Sequence, residues 1–224
     1  MKVAALTSGG KDSLFAAYTM VSQGFELKYL ITMYPESPES YMFHHSNVRF
    51  VEDQAKTMGI QLLTKTTLGE KEMEIEDLKK VINSVKSEIE GVVTGALSSE
   101  YQKQRIDVVC EELGLVSFAP LWHKDSEALL KEILEAGFAV IITATAAEGL
   151  GAGWLGRRVD ERCIAELREL NRKYRVHMSG EGGEYETLVL DMPLFREKLE
   201  IIEAGVEWEG TSGTYAVKDL KMVK

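Results

Sequence analysis

The sequence predicts an α/β fold: a doubly wound, mostly parallel sheet followed by a smaller C-terminal α+β part. Three observations predict it. Short, nearly continuous apolar runs alternate with helical periodicity through the first two thirds of the chain, as strands do when crossover helices bury both their faces. A Gly-Gly turn stands directly between the first apolar run and the first helical segment, where open α/β sheets take their ligands. After about residue 146 the alternation gives way to a Gly-rich stretch, AAEGLGAGWLG. The expected division is therefore 1–146 and 147–224.

Each element has its own signal. Residues 2–7 (KVAALT) read as a buried strand, and Leu14, Tyr18 and Val21 share a helical face that Gly24 closes. Residues 26–33 read as a second strand, after which PESPES breaks the pattern. Val48, Val51, Ala55 and Met58 fall at helical spacing, and 60–66 reads as a third strand. Leu78, Val81, Ile82 and Val85 mark the next helix, EGVVTG (90–95) a fourth strand, and Ile106, Val109, Cys110 and Leu113 another helical stripe. A helix over about 125–136 precedes GFAVIITAT (137–145), a strongly apolar strand that continues the same alternation. Beyond the Gly-rich stretch come a helix from Asp160 to Tyr174, the segment SGEGGEYET, and two stretches that alternate like strands.

Composition bounds the function. With 224 residues, 45% of them hydrophobic, the chain can bury one large core and a smaller one. Lys and Arg total 26 against 36 Asp and Glu, a net charge of −10. Such a field does not gather nucleic acid or anionic membrane, so neither is an expected partner. Cys110 and Cys163 are too few for a disulfide framework or a CxxC metal site. The N-terminal apolar run is too short for a signal peptide, and no run approaches the roughly 20 residues of a membrane span. A cytoplasmic protein is expected; a homo-oligomer stays open.

The Gly-Gly turn carries the clearest chemistry. It lies within Ser8-Gly9-Gly10-Lys11-Asp12-Ser13. Glycines let backbone approach a ligand closely, and a helix N-terminus offers unpaired N–H groups to an anion. Lys11 adds positive charge, Ser8 and Ser13 add hydroxyls, and Asp12 is the candidate Mg²⁺ ligand beside phosphate oxygens. The spacing is neither GxxxxGK[ST] nor GxGxxG.

The loop resembles the SGGxDS loop of the N-type ATP pyrophosphatases. Two further stretches, Thr94-Gly95-Ala96-Leu97-Ser98-Ser99-Glu100-Tyr101-Gln102-Lys103-Gln104-Arg105 and Gly180-Glu181-Gly182-Gly183-Glu184-Tyr185-Glu186-Thr187-Leu188-Val189, make the chain similar to the diphthine–ammonia ligase family over nearly its full length. The resemblance implies an adenine nucleotide alpha hydrolase-like, Rossmann-like domain over 1–146 that binds ATP and Mg²⁺, with substrate recognition over 147–224. It implies amidation of the diphthine carboxylate on translation elongation factor 2 by ammonium, yielding diphthamide, AMP and pyrophosphate. Ser8 to Ser13, Met33 and His44 at the end of strand two, and Gly95 are then the nucleotide-contact candidates.

Other residues read two ways. Ser99 and Gln102 form an S-x-x-Q capping box, and Ser99, Tyr101, Gln102 and Arg105 are also substrate-binding candidates, Arg105 by a bidentate grip on carboxylate or phosphate. Glu181, Glu184 and Glu186, with Gly182 and Gly183 between them, form either a solvated acidic turn or a receiver for cations; under the family reading Glu181 or Glu184 serves the amidation step. Tyr185, Trp154 and Trp122 are aromatics able to face a quaternary ammonium. His123 and His177 have no partner at ligand spacing and receive no role. Neither cysteine looks exposed, so free ammonium rather than glutamine is the expected nitrogen donor. Two other functions stay open: the same ATP chemistry on a small molecule or tRNA, and a non-catalytic ATP-binding module.

Overall fold

The computed structural model describes residues 1–35, 48–67 and 71–224. They divide into two compact units, one of Met1–Ser8 and Asp12–Trp122, the other of Gly9–Lys11 and His123–Lys224.

The first unit is built on β1 (Lys2–Leu6), β2 (Glu26–Pro35), β3 (Gln61–Thr67), β4 (Gly91–Val93) and β5 (Val116–Phe118). All neighbours pair parallel, in the order β3-β2-β1-β4-β5. The chain starts at the centre, runs outward to β3, then returns to β4, so the order reverses between β1 and β4. Right-handed crossovers put α1 (Lys11–Ser22) and α2 (Val51–Met58) on one face, α3 (Lys71–Val85) and α4 (Glu100–Leu113) on the other. On the α3/α4 side Ala4, Ile31, Met33 and Val92 pack with Leu78, Ile82, Ile106 and Val109. The opposite pleat holds Ala5 and Leu30, which pair in register and are fully buried. Burial on both faces explains why these strands read as unbroken apolar runs. β5, only Val-Ser-Phe, is too short to show a period and was not among the expected strands.

The second unit contains α5 (Ser126–Glu135), β6 (Ala139–Thr145), α6 (Glu161–Tyr174), β7 (Tyr185–Asp191), β8 (Lys198–Glu209) and β9 (Ser212–Val223). Its sheet is antiparallel, in the order β7-β6-β9-β8. Here the structure departs from the sequence reading. The strand expected at 137–145 does not extend the parallel sheet; β6 pairs antiparallel with β7 and β9. The division accordingly falls between Trp122 and His123 rather than at 146. An apolar run reports burial on both faces, which an interior antiparallel strand satisfies as well as a parallel one. Three strands follow α6, one more than the two alternating stretches, because β7 begins inside SGEGGEYET at Tyr185. Asp125 caps α5 through Ala128 N at 2.8 Å, and Asp160 caps α6 through Cys163 N at 2.7 Å. Arg168 of α6 grips Glu127 of α5 with two hydrogen bonds of 2.8 and 2.6 Å. Among the described residues no helix is long and apolar enough to cross a membrane.

Candidate functional site

The first unit carries a cavity of about 190 Å³ at the carboxyl ends of β1, β2 and β4. This is where the strand order reverses. One part of its wall is apolar: Leu6, Ile31, Met33 and Ile106. Another is polar: Ser8, Asp12, Ser13 and Gln102. An adenine nucleotide has the same division, an apolar base and a charged phosphate tail, so the lining fits one. Met33, a nucleotide-contact candidate, lines this cavity. His44 lies outside the described residues.

The loop's geometry follows from its sequence. Gly9 has φ +81°, left-handed backbone that glycine adopts without strain. The Ser13 hydroxyl accepts from Ser8 N at 3.4 Å and lies 3.0 Å from the Thr7 hydroxyl, closing the loop on itself. Gly95 is needed for a different reason. A Cβ there would stand 2.6 Å from Ser13 N and 2.8 Å from the Asp12 carbonyl carbon. The end of β4 is thus packed against the first turn of α1, so Gly95 shapes the loop by close approach. Asp12 is the carboxylate on the cavity wall. Among the described residues no group of three or more His, Cys, Asp or Glu could hold a metal unaided. Mg²⁺ coordinated by Asp12 and completed by phosphate oxygens fits this arrangement.

On α4, Ser99 is the N-cap: its hydroxyl accepts from Gln102 N at 3.4 Å. The capping half of its expected role is therefore present. One turn on, the Arg105 guanidinium stacks 3.7 Å over the Tyr101 ring, an i, i+4 pair that fixes both side chains.

The second unit holds the glycine-rich acidic loop, and Lys11 with it. Lys11 is only 2% exposed. Its backbone N–H donates to the Thr187 hydroxyl at 3.1 Å, and Gly9 O accepts from Val189 N at 3.1 Å, so residues 9–11 lie along β7. The Lys11 ammonium donates to Ser179 O at 2.6 Å and sits 5.1 Å from the centre of the Tyr185 ring. Glu184 accepts from His177 N at 3.0 Å through Oε1, and Tyr185 donates its hydroxyl to Met178 O at 2.7 Å. Glu181 and Glu186 are half-buried, while Gly182 and Gly183 are exposed. The three aromatics offered for a quaternary ammonium each stand against a cation of the chain itself: Tyr185 faces Lys11, Trp154 faces Arg157 at 4.5 Å, and Trp122 faces Lys103 at 5.6 Å.

Residues 1–117 match the family model of the diphthamide synthase N-terminal domain, and residues 125–223 that of the diphthamide synthase C-terminal domain. The chain belongs to the diphthamide synthase family. Its diphthine–ammonia ligase relative from Danio rerio is 38% identical over 224 residues, covering 91% of this chain and 87% of the relative. The Homo sapiens diphthine–ammonia ligase is 35% identical over 220 residues, covering 89% and 82%. A longer relative of the same name, from Schizosaccharomyces pombe, is 36% identical and covered over 37% of its length. Like these relatives the chain is a ligase that forms a C–N bond. The two matched domains meet between residues 117 and 125, around the structural seam.

The sequence reading gave His177 no role. Its ring lies at the centre of the acidic loop: Nδ1 is 3.1 Å from the Ser179 hydroxyl and accepts from Glu181 N at 3.5 Å, and Nε2 is 3.4 Å from the Ser126 hydroxyl. The signal available was its place two residues before the SGEGGEYET segment. Cys110 and Cys163 are buried free thiols, and burial pushes each up to about 11. Neither is a ready thiolate.

Proposed function

We propose that the protein amidates the carboxylate of diphthine on translation elongation factor 2 in the cytoplasm, consuming ATP and ammonium and releasing diphthamide, AMP and pyrophosphate. The observation that supports this best is the pairing of a cavity with one apolar wall and one polar wall that includes Ser8, Asp12 and Ser13 with membership of the diphthamide synthase family across both of its domains. Ser8 through Ser13 bind the phosphates through backbone N–H groups, hydroxyls and the Lys11 ammonium. Asp12 holds Mg²⁺, which neutralises phosphate charge. Met33 and Gly95 flank the nucleotide.

The substrate carboxylate oxygen attacks the α-phosphorus, the bond to the bridging oxygen breaks, and pyrophosphate leaves. Positive charge in the loop stabilises the charge that develops on that leaving group. Arg105, backed by Tyr101 and set in place by the Ser99 cap and Gln102, orients the carboxylate or the α-phosphate. Ammonium loses a proton, ammonia's lone pair attacks the acyl carbon, and the C–O bond to AMP breaks. Glu181 or Glu184 accepts a proton in that step, and Gly182, Gly183 and Glu186 line the acceptor side.

The test mixes the protein with ATP, ammonium chloride and diphthine-bearing elongation factor. The expected result is AMP and pyrophosphate in proportion to diphthamide formed, with no AMP when the factor is omitted. AMP release indifferent to the factor overturns the reading. Lys11→Ala lowers pyrophosphate release by about 10²- to 10³-fold, the usual loss when one stabilising donor is removed.

A further inference from the structure

Both glutamates proposed as proton acceptors converge on one residue, His177. Its backbone N–H donates to Glu184 Oε1 at 3.0 Å, and its ring Nδ1 accepts from Glu181 N at 3.5 Å. The main chain between them makes two successive turns, Gly180 N to His177 O at 3.0 Å and Gly183 N to Gly180 O at 3.1 Å. Glu181 N takes part in neither turn bond and donates to the ring instead. A backbone N–H can only donate, so Nδ1 carries no proton. The Ser179 hydroxyl, 3.1 Å from the same nitrogen, must then donate to it as well. In the neutral ring the proton is left on Nε2, 3.4 Å from the hydroxyl of Ser126, the first residue of α5. The imidazole therefore links α5 to the middle of the acidic loop, in one tautomer.

We propose that His177 is a positioning residue of the amidation step: its ring, as the neutral Nε2–H tautomer, holds the Glu181 backbone while its own N–H holds Glu184, so the two carboxylates keep a fixed relation to each other. The inference rests on the amidation reading and deepens it, by naming what sets the geometry of the proton acceptor. The ring acts through Glu181, not on the reacting atoms. A change of side chain at position 177 leaves the backbone bond to Glu184 in place, so its effect falls on Glu181. An asparagine side chain presents an oxygen about where Nδ1 stands and accepts the same N–H; a leucine side chain fills the space and accepts nothing.

Two rates, measured on the full chain with diphthine-bearing elongation factor, test this. Exchange of pyrophosphate into ATP without ammonium reads formation of the acyl-adenylate, and diphthamide formation with ammonium reads the attack of ammonia. His177→Leu is expected to keep the exchange and to lower diphthamide formation by about 10²-fold, the scale of a misplaced reacting group. His177→Asn is expected to restore most of that loss. Equal losses in both rates overturn the positioning role, as does unimpaired amidation by His177→Leu. His177→Asn as inactive as His177→Leu gives the ring a proton-transfer task and overturns it too. Nuclear magnetic resonance of the unsubstituted protein with isotope-labelled histidine reads the tautomer even where His177→Leu fails to fold: the Nε2–H form is expected, and the Nδ1–H form overturns the inference. If the unsubstituted chain makes no diphthamide, the amidation reading falls and the inference with it. If it makes diphthamide and His177→Leu does so equally well, the inference alone falls.

Discussion

Two glycine-bearing segments of this molecule are closed in opposite ways. Ser8–Ser13 is shaped largely by backbone: a left-handed Gly9 and the approach of Gly95 to Ser13. Its polar side chains Ser8, Asp12 and Ser13 line a cavity. Residues 177–185 are shaped by side chains turned back on their own backbone: Glu184 onto His177 N, Tyr185 onto Met178 O, and the His177 ring beside Glu181 N. The first segment turns Ser8, Asp12 and Ser13 toward a cavity. The second spends several on its own shape, so its carboxylates are not equivalent: Glu184 has a structural duty as well as a proposed chemical one.

The contrast is open to attack by substitution. Gly95→Ala has the largest expected effect, a loss of about 3 kcal/mol in urea unfolding with weakened ATP binding, because the new methyl meets backbone rather than a side chain that can move. Glu184→Ala leaves His177 N without its acceptor and costs about 2 kcal/mol, whereas Glu184→Gln keeps an acceptor and the stability. If Gln at both 181 and 184 leaves amidation unchanged, the proposed proton-accepting role is gone and the structural one remains. Ser99→Ala removes the cap of α4 and costs about 1 kcal/mol, with the Arg105 stack loosened.

The smallest effect is a pH dependence confined to the second unit. Hydrogen bonds from Arg168 and then Lys131 hold Glu127 down at about 2, and Arg157 with Arg162 holds Glu166 there too. Their folded values lie below the ordinary 4.5, so the stability they add is complete above about pH 4.5 and is lost as pH falls toward 2. Both carboxylates are partly exposed, so salt weakens the effect. Arg168→Met should flatten part of the acid limb, read as melting temperature against pH at low salt.

How much of this was legible in the sequence depends on range. β1, the Gly9 turn and the start of α1 are consecutive, and their apolar run, glycines and hydroxyls announce them together. The Ser99 cap was legible for the same reason, lying three residues from its donor. β5 was not, because three residues carry no period. The sheet to which β6 belongs was not, because pairing partners 187 and 214 lie far along the chain. The Lys11–Ser179 bond spans 168 residues, and His177 meets Ser126 across 51. Residue type and spacing identified the loop; they contained no information on where the lysine's ammonium rests.

The hydrogen bonds of Gly9 and Lys11 to β7 also govern how the protein can be dissected. A gene cut between the codons for Trp122 and His123 looks like a cut between two domains. It is not, because the fragment beginning at His123 lacks the tripeptide that covers part of β7. Val189 N, fully buried, would lose the carbonyl of Gly9, and the Thr187 hydroxyl would lose the Lys11 N–H. The C-terminal half is therefore a poor candidate for autonomous expression, whereas two co-expressed halves retain a reason to reassociate. A domain exchanged between relatives should carry residues 9–11 from the same parent as β7.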